Sequence, residues 1–279
     1  MTRINERVAA LDLGLFEPIE SQTSGWDQLA LLALHGVVAD RYGSFCYLEV
    51  GSYLGGSIQV LIRDPRCELI ISIDRRVALA PDIRGGVSYD RNTTAHMRER
   101  LAQVPAADLG KLTSLESSTE SLEVGNLPRR PRYCLIDAEH TDQAALRDAR
   151  FCAQALGGEG IIAFHDFKLV GGAIRAFVRE SWGEVSGAVA FADAVFAIEL
   201  GGGGMLSTPL VKRAIGSRWH SLVWTTASRL ERSPVPFLAA WSVVPVLDSA
   251  VARTRARFGR PSATTPHTAR GSDWPYAQR

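Results

Sequence analysis

Residues 45–57 read Phe45-Cys46-Tyr47-Leu48-Glu49-Val50-Gly51-Ser52-Tyr53-Leu54-Gly55-Gly56-Ser57. The first six residues are an apolar run broken by one acid, and the run stops at Gly51. A run of that length without polar alternation predicts a strand buried on both faces. Gly51, Gly55 and Gly56 then give backbone able to turn tightly and approach a ligand closely. A helix is expected from Gly56 to about Ile62, and its first N–H groups would favour an anionic group.

The pattern repeats outward from this segment. Upstream, Leu29, Leu32, Ala33, Gly36 and Val37 share one face of a helix expected over Trp26–Tyr42. Downstream, Glu68–Ile73 is a second buried strand and ends at Asp74. Thr93–Val104 has helical spacing, and Lys111–Leu115 reads as a third strand. Arg132–Ile136 is a fourth strand, ending at Asp137, and a long helix is expected over Gln143–Leu156. Ile161–Phe164 is a fifth strand, followed by His165-Asp166. Ala173–Trp182 is helical, and Ala188–Leu200 holds two closely spaced strands. Alternating helices and buried strands predict a doubly wound α/β fold with a mostly parallel, seven-stranded sheet. Acidic residues, glycine and histidine collect just after the strands, at the edge where open α/β sheets bind ligands.

Four segments organise the chain of 279 residues. Residues 1–24 are expected to be a loose lead-in, and 25–204 the main domain. The run Gly201–Gly204 reads as a hinge, 205–260 as a helical extension and 261–279 as a polar, disordered tail. The extension is basic, with Lys212, Arg213, Arg218 and Arg229 among its cations. A solvated helical face or a homodimer contact accounts for that charge; peripheral contact with an anionic membrane surface, or with a phosphate-bearing substrate, is the alternative. The net charge of +1 gives no case for nucleic-acid binding. Cys46, Cys67, Cys134 and Cys152 form no C-x-x-C pair and read as reduced thiols. With no signal-peptide core and no apolar run of membrane-spanning length, a cytoplasmic location is expected.

Nucleotide-binding patterns compete for the glycine loop. A dinucleotide fingerprint requires glycine where Tyr53 stands, and a side chain there would crowd a pyrophosphate. A phosphate-gripping loop requires lysine where Ser57 stands. An acid, a glycine and a second glycine cluster, as in Glu49, Gly51 and Gly55-Gly56, suit a ligand carrying an amine and a carboxylate. Asp74, closing the second strand, can accept both ribose hydroxyls of an adenosine.

Four stretches together carry a resemblance: LEVGSYLGGS (48–57), IISIDRR (70–76), SLESSTESL (114–122) and CLIDAEHTDQAALRDARFCAQALGGEGIIAFHDF (134–167). The chain resembles the class I S-adenosylmethionine-dependent methyltransferases. Within them it is similar to a bacterial group with macrocin O-methyltransferase-like and cephalosporin hydroxylase-like proteins. The resemblance implies a Rossmann-like methyltransferase fold and S-adenosylmethionine as cofactor. Glu49 and Gly51 would lie near its methionine moiety, in a loop with Ser52, Tyr53, Gly55, Gly56 and Ser57. Asp74 would lie at the ribose, Ser117 or Ser118 near the adenine, and Asp137 beside the sulfonium.

Two ways of activating an acceptor hydroxyl stay open. In one, Asp137 and Asp166 hold Mg2+, which lowers the acceptor's pKa. In the other, His140 or His165 is the general base. Lys168 departs from the metal-dependent pattern, because inward it would oppose a cation. Asp148 reads as the partner of an arginine. The expected reaction is methyl transfer to a small-molecule acceptor, a hydroxyl of a sugar or secondary metabolite, in natural-product or glycan biosynthesis. Rival readings are an NAD-dependent oxidoreductase, disfavoured by Tyr53 and by the lack of a Tyr-x-x-x-Lys pair, and a non-catalytic binding protein on the same fold.

Overall fold

The computed structural model describes residues 3–76, 79–80, 87–89, 91–192 and 194–215. Seven strands form one sheet: β1 (Phe45–Val50), β2 (Cys67–Ile73), β3 (Leu112–Leu115), β4 (Tyr133–Ile136), β5 (Gly160–His165), β6 (Val185–Phe191) and β7 (Val195–Leu200). Their order is β3-β2-β1-β4-β5-β7-β6. All neighbours run parallel except β7, which is antiparallel to both β5 and β6. This is the doubly wound α/β architecture expected from the alternating pattern. The strand order reverses between β1 and β4, so the crevice outside Val50 and Ile136 is the switch point.

The two faces of the sheet are read directly from alternating residues of β1. Phe45 and Tyr47 enter one apolar core, and Cys46, Leu48 and Val50 enter the other. The first core packs against α1 (Ile4–Ala9), α2 (Gly25–Tyr42), α3 (Thr94–Leu101) and α6 (Pro209–Ala214). The second packs against α4 (Asp142–Leu156) and α5 (Gly171–Glu180). Ser24 caps α2 by accepting from Asp27 N, and Thr141 caps α4 by accepting from Ala144 N. Gly157, at φ 56°, ends α4 in the left-handed conformation that β-carbons disfavour. All four cysteines are buried free thiols.

Three expectations change. The glycine loop is not followed by a regular helix: residues 53–60 are turns and a bend, and a short 3-10 turn covers Leu61–Arg63. Glycines and β-branched residues between 55 and 60 weaken a helix there, and two of the loop's glycines pack against other parts of the chain. The lead-in is not loose, since Val8, Leu15, Phe16 and Ile19 are buried in the first core. Nor is Gly201–Gly204 a free hinge. The buried carboxylate of Glu199 accepts from Met205 N (3.0 Å) and Leu206 N (3.1 Å), fixing the chain beyond the glycines. Leu210 of α6 then sits against Gly36 of α2, where a β-carbon would meet its Cδ2 at 2.5 Å. Residues 205–215 therefore belong to the main core. The rest of the expected extension and the tail, 216–279, lie outside the described residues. Among the described residues no helix is long and apolar enough to cross a membrane.

Candidate active site

Two cavities adjoin at the switch point, one of about 270 Å³ and one of about 150 Å³. Gln22, Gly51, Tyr53 and Asp137 line both. The larger runs along the ends of β2, β3, β4 and β5, past Asp74, Ser117, Ser118, His140, His165 and Asp166. The smaller lies between the glycine loop and residues 20–23, with Glu49, Ser52, Gly56, Ser57 and Arg100 in its wall. The sequence-derived candidates thus converge, with one exception: Gly55 lines neither cavity.

The glycines serve chain packing. A β-carbon on Gly51 would meet the Asp137 carbonyl oxygen at 2.2 Å, so Gly51 lets the ends of β1 and β4 meet. A β-carbon on Gly55 would press on Leu101, and one on Gly56 on Ser21. Loop amides are also spent inside the chain. Gly51 N donates to Ile73 O, Gly55 N to Ser52 O and Ile58 N to Gly55 O.

Asp74 ties this loop to the end of β2. Its Oδ2 accepts from Tyr53 N (2.9 Å) and its Oδ1 from Arg76 N (2.8 Å). Arg76, which the sequence reading passed over, folds back beneath the loop at φ 55°. Its guanidinium donates to the Tyr53 carbonyl, Asn92 Oδ1 (3.1 Å), Ser52 Oγ (3.1 Å) and Ser72 Oγ (3.2 Å). Nothing in the local pattern Ile73-Asp74-Arg75-Arg76 announces which arginine turns inward. Arg75 stays at the mouth and pairs with Glu139 at 3.2 Å.

Glu49 is 1% exposed. Tyr47 Oη donates to its Oε2 and Ser57 Oγ to its Oε1. Burial, reinforced by the nearby Asp137 and Asp74 carboxylates, pushes its carboxyl up to about 8 against the pull of those hydroxyls. A cation entering the small cavity would therefore stabilise its ionised form.

At the mouth His165 lies between two carboxylates, Nδ1 at 2.8 Å from Asp137 Oδ1 and Nε2 at 3.3 Å from Asp27 Oδ1. Burial opposes charge on this imidazole, but Asp137 and Asp27 outweigh it and raise its pKa well above the ordinary value. Asp27 comes from the first turn of α2, where its other oxygen accepts from Ser24 N and Ser24 Oγ, both at 2.7 Å. Ser24-Gly25-Trp26-Asp27 is a capping-box spacing visible in the sequence. Its link to His165, 138 positions away in the chain, is not. His140 Nε2 stands 3.8 Å from Asp137 Oδ1 and 3.7 Å from Asp166 Oδ2. Tyr53, Arg76 and Asp166 all hold positive φ without being glycine, which concentrates backbone strain around the cavities. Lys168 is exposed and lines neither cavity. Asp148 is buried beside Arg147 and Thr119 at the inner wall, the arginine partnership expected of it.

The donors do not fit Mg2+, which takes oxygen ligands in near-octahedral geometry. His140 Nε2 lies 3.8 Å from Asp137 Oδ1 and 3.7 Å from Asp166 Oδ2, and among the described residues the ligand atoms that gather within 4.8 Å belong to Asp137, His140 and His165, two imidazoles and one carboxylate.

No protein-family model matches the chain, and no curated protein matches it. Solved structures do. The O-methyltransferase TomG from Streptomyces achromogenes, involved in tomaymycin synthesis and solved with S-adenosylmethionine, is 12% identical over 72% of this chain and 91% of its own, TM-score 0.42. An O-methyltransferase from Bacillus cereus, solved with S-adenosylhomocysteine, is 12% identical over 71% and 91%, TM-score 0.43. TrmK from M. capricolum, also with S-adenosylhomocysteine, is 12% identical over 61% and 67%, TM-score 0.41.

Proposed function

We propose that this chain is an S-adenosylmethionine-dependent methyltransferase acting on a hydroxyl of a small molecule, a sugar or secondary metabolite. One observation carries the reading: two cavities with different charged and polar groups in their walls meet at Asp137. The larger, with Asp74 at the end of β2 and Ser117 and Ser118 beyond it, suits a nucleoside. The smaller, with Glu49 and Arg100, suits an amino-acid end. A ligand spanning both places its linking sulfur at the junction, beside the Asp137 carboxylate.

When bound, S-adenosylmethionine supplies an electrophilic methyl group on a positively charged sulfur. Asp137 places negative charge next to that sulfur. Asp74 offers its carboxylate oxygens to the ribose while holding the loop through Tyr53 N. His140, in the wall of the larger cavity, accepts the acceptor's proton, and Asp137 and Asp166 on either side stabilise the imidazolium that forms. His165, the other candidate base, has a carboxylate against each ring nitrogen and is already charged. Its role here is to hold Asp137 in place. A cytoplasmic location and a role in natural-product or glycan biosynthesis belong to the same proposal.

Isothermal titration with S-adenosylmethionine and, separately, NAD tests it. Binding of the former alone is the expected result. Binding of NAD alone would favour the oxidoreductase, and binding of neither would overturn the methyl-donor reading.

A further inference from the structure

The carboxylate of an amino-acid ligand needs a partner in the smaller cavity, and the glycine loop carries no cationic side chain to provide one. It leads into turns rather than a helix, so no helix N-terminus faces the ligand. The amides of Gly51 and Tyr53 donate to the end of β2, and those of Gly55 and Ile58 to carbonyls of the loop itself. Two of the cavity's acids, Glu49 and Asp137, suit an ammonium rather than a carboxylate. Among the described residues of its wall, Arg100 is the sole cation.

Arg100 is the next-to-last residue of α3. Its Nη2 donates to the Glu20 carbonyl at 2.8 Å, which fixes the guanidinium against the segment closing the cavity. Its Nε is buried without a hydrogen-bond partner. Among the described residues its acidic partner, the Glu20 carboxylate, is 3.9 Å from Nη1 and 85% exposed. A partner that far away and that well hydrated contributes little. A ligand carboxylate entering the cavity can replace it with shorter, desolvated contacts.

We propose that Arg100 receives the carboxylate of the bound ligand. The site would then select a nucleoside carrying a complete α-amino-acid end over the same nucleoside without its carboxylate. This rests on the methyl-donor reading above. It makes Arg100 the charged anion-binding element of the site.

The test is calorimetric and needs no acceptor. Full-length wild type and Arg100→Ala are titrated with S-adenosylhomocysteine and with its decarboxylated analogue, 5′-(3-aminopropylthio)-5′-deoxyadenosine. Arg100→Ala should weaken S-adenosylhomocysteine by about 10- to 100-fold, the range of a hydrogen bond to a charged group. Binding of the analogue should stay within about twofold of wild type, so the preference between the two ligands collapses. Arg100→Lys should restore part of that preference, which also guards against a misfolded alanine variant. Equal loss for both ligands would assign Arg100 a purely structural role through the Glu20 carbonyl and overturn the proposal, as would no loss for either. If neither ligand binds the wild type, the methyl-donor reading itself fails, and the proposal with it.

Discussion

The two halves of the site are held together differently. On the β1–β2 side, charged groups are locked by directed hydrogen bonds: Asp74 by Tyr53 N and Arg76 N at 2.9 and 2.8 Å, and Arg76 by Asn92, Ser52 and Ser72 at 3.1 to 3.2 Å. On the β4–β5 side, His165 is clamped but His140 stands 3.7 and 3.8 Å from its carboxylates. The first half resembles a pre-organised pocket, in which little ordering remains to be done when a ligand binds. The second sets an imidazole beside two carboxylates that can stabilise it once it takes a proton, as the proposed general base requires. In the proposed function, binding and chemistry fall on opposite sides of the β1–β4 crevice, and substitutions should separate them.

The largest effect is expected where the halves touch. Gly51→Ala places a methyl group 2.2 Å from the Asp137 carbonyl and forces a side chain onto φ 89°. The ends of β1 and β4 cannot part without breaking the hydrogen bond from Asp137 N to Val50 O. A loss of about 3 kcal/mol or more is expected in urea denaturation, together with loss of S-adenosylhomocysteine binding. A variant with wild-type stability would show that the two halves are not rigidly joined at this point.

A smaller pair of effects sharpens the comparison. Asp74→Asn should weaken S-adenosylhomocysteine by about 10- to 100-fold, because the ribose loses a charged acceptor. Asp137→Asn should leave binding of that sulfide within about tenfold while abolishing methyl transfer to an acceptor found by screening hydroxylated small molecules with labelled S-adenosylmethionine. Sulfide and sulfonium differ by the charge that Asp137 faces, so the variant should also reduce the preference for S-adenosylmethionine. If Asp137→Asn lost both ligands equally, Asp137 would belong to the binding half.

These differences also show what a linear sequence carries. The continuous apolar runs specified the sheet and its two covered faces, because each buried strand needs apolar residues on both sides. Asp74, Asp137 and His165 were legible because a parallel sheet puts the ends of its strands at one edge. The helix after Gly56 was misread because glycine at a strand end signals close approach without saying to what, and here the approach is to Leu101, Ser21 and Asp137. Asp27 and Arg100 could not be found by spacing. Each reaches the site from a helix whose placement depends on the packed core. Ser24-x-x-Asp27 has capping-box spacing, but the second oxygen of Asp27 acquires its partner only when α2 docks beside β5.

The smallest expected effect is in the pH dependence of stability, and it too divides the halves. His165 has a folded pKa raised above its usual value near 6.5. Its contribution is therefore complete below about pH 6.5 and is lost as pH rises through the folded value. Glu49, raised from 4.5 to about 8, acts in the same direction: folding favours its neutral form, so stability falls as pH rises from about 5 through 8. Asp27 and Asp64, both held below the ordinary 3.8, contribute stability that is present above that value and is lost only in stronger acid. His35, buried beside Asp64, has its pKa lowered by burial and acts the other way below about pH 6.5. Between pH 6.5 and 9 the ligand-free chain should therefore lose stability toward the alkaline side. Glu49→Gln should flatten the curve up to pH 8, gaining about 1 to 2 kcal/mol over wild type there, since the amide pays no ionisation cost in a buried position. His165→Gln should flatten only the part above about 6.5, at a lower overall stability, because Asp27 and Asp137 then face each other without the cation between them. Urea midpoints measured at intervals across that range decide the matter. A wild-type curve that rises with pH would mean that neither group titrates as its surroundings dictate. Identical curves for the two variants would mean that the glycine-loop half and the mouth titrate as one coupled system rather than as two.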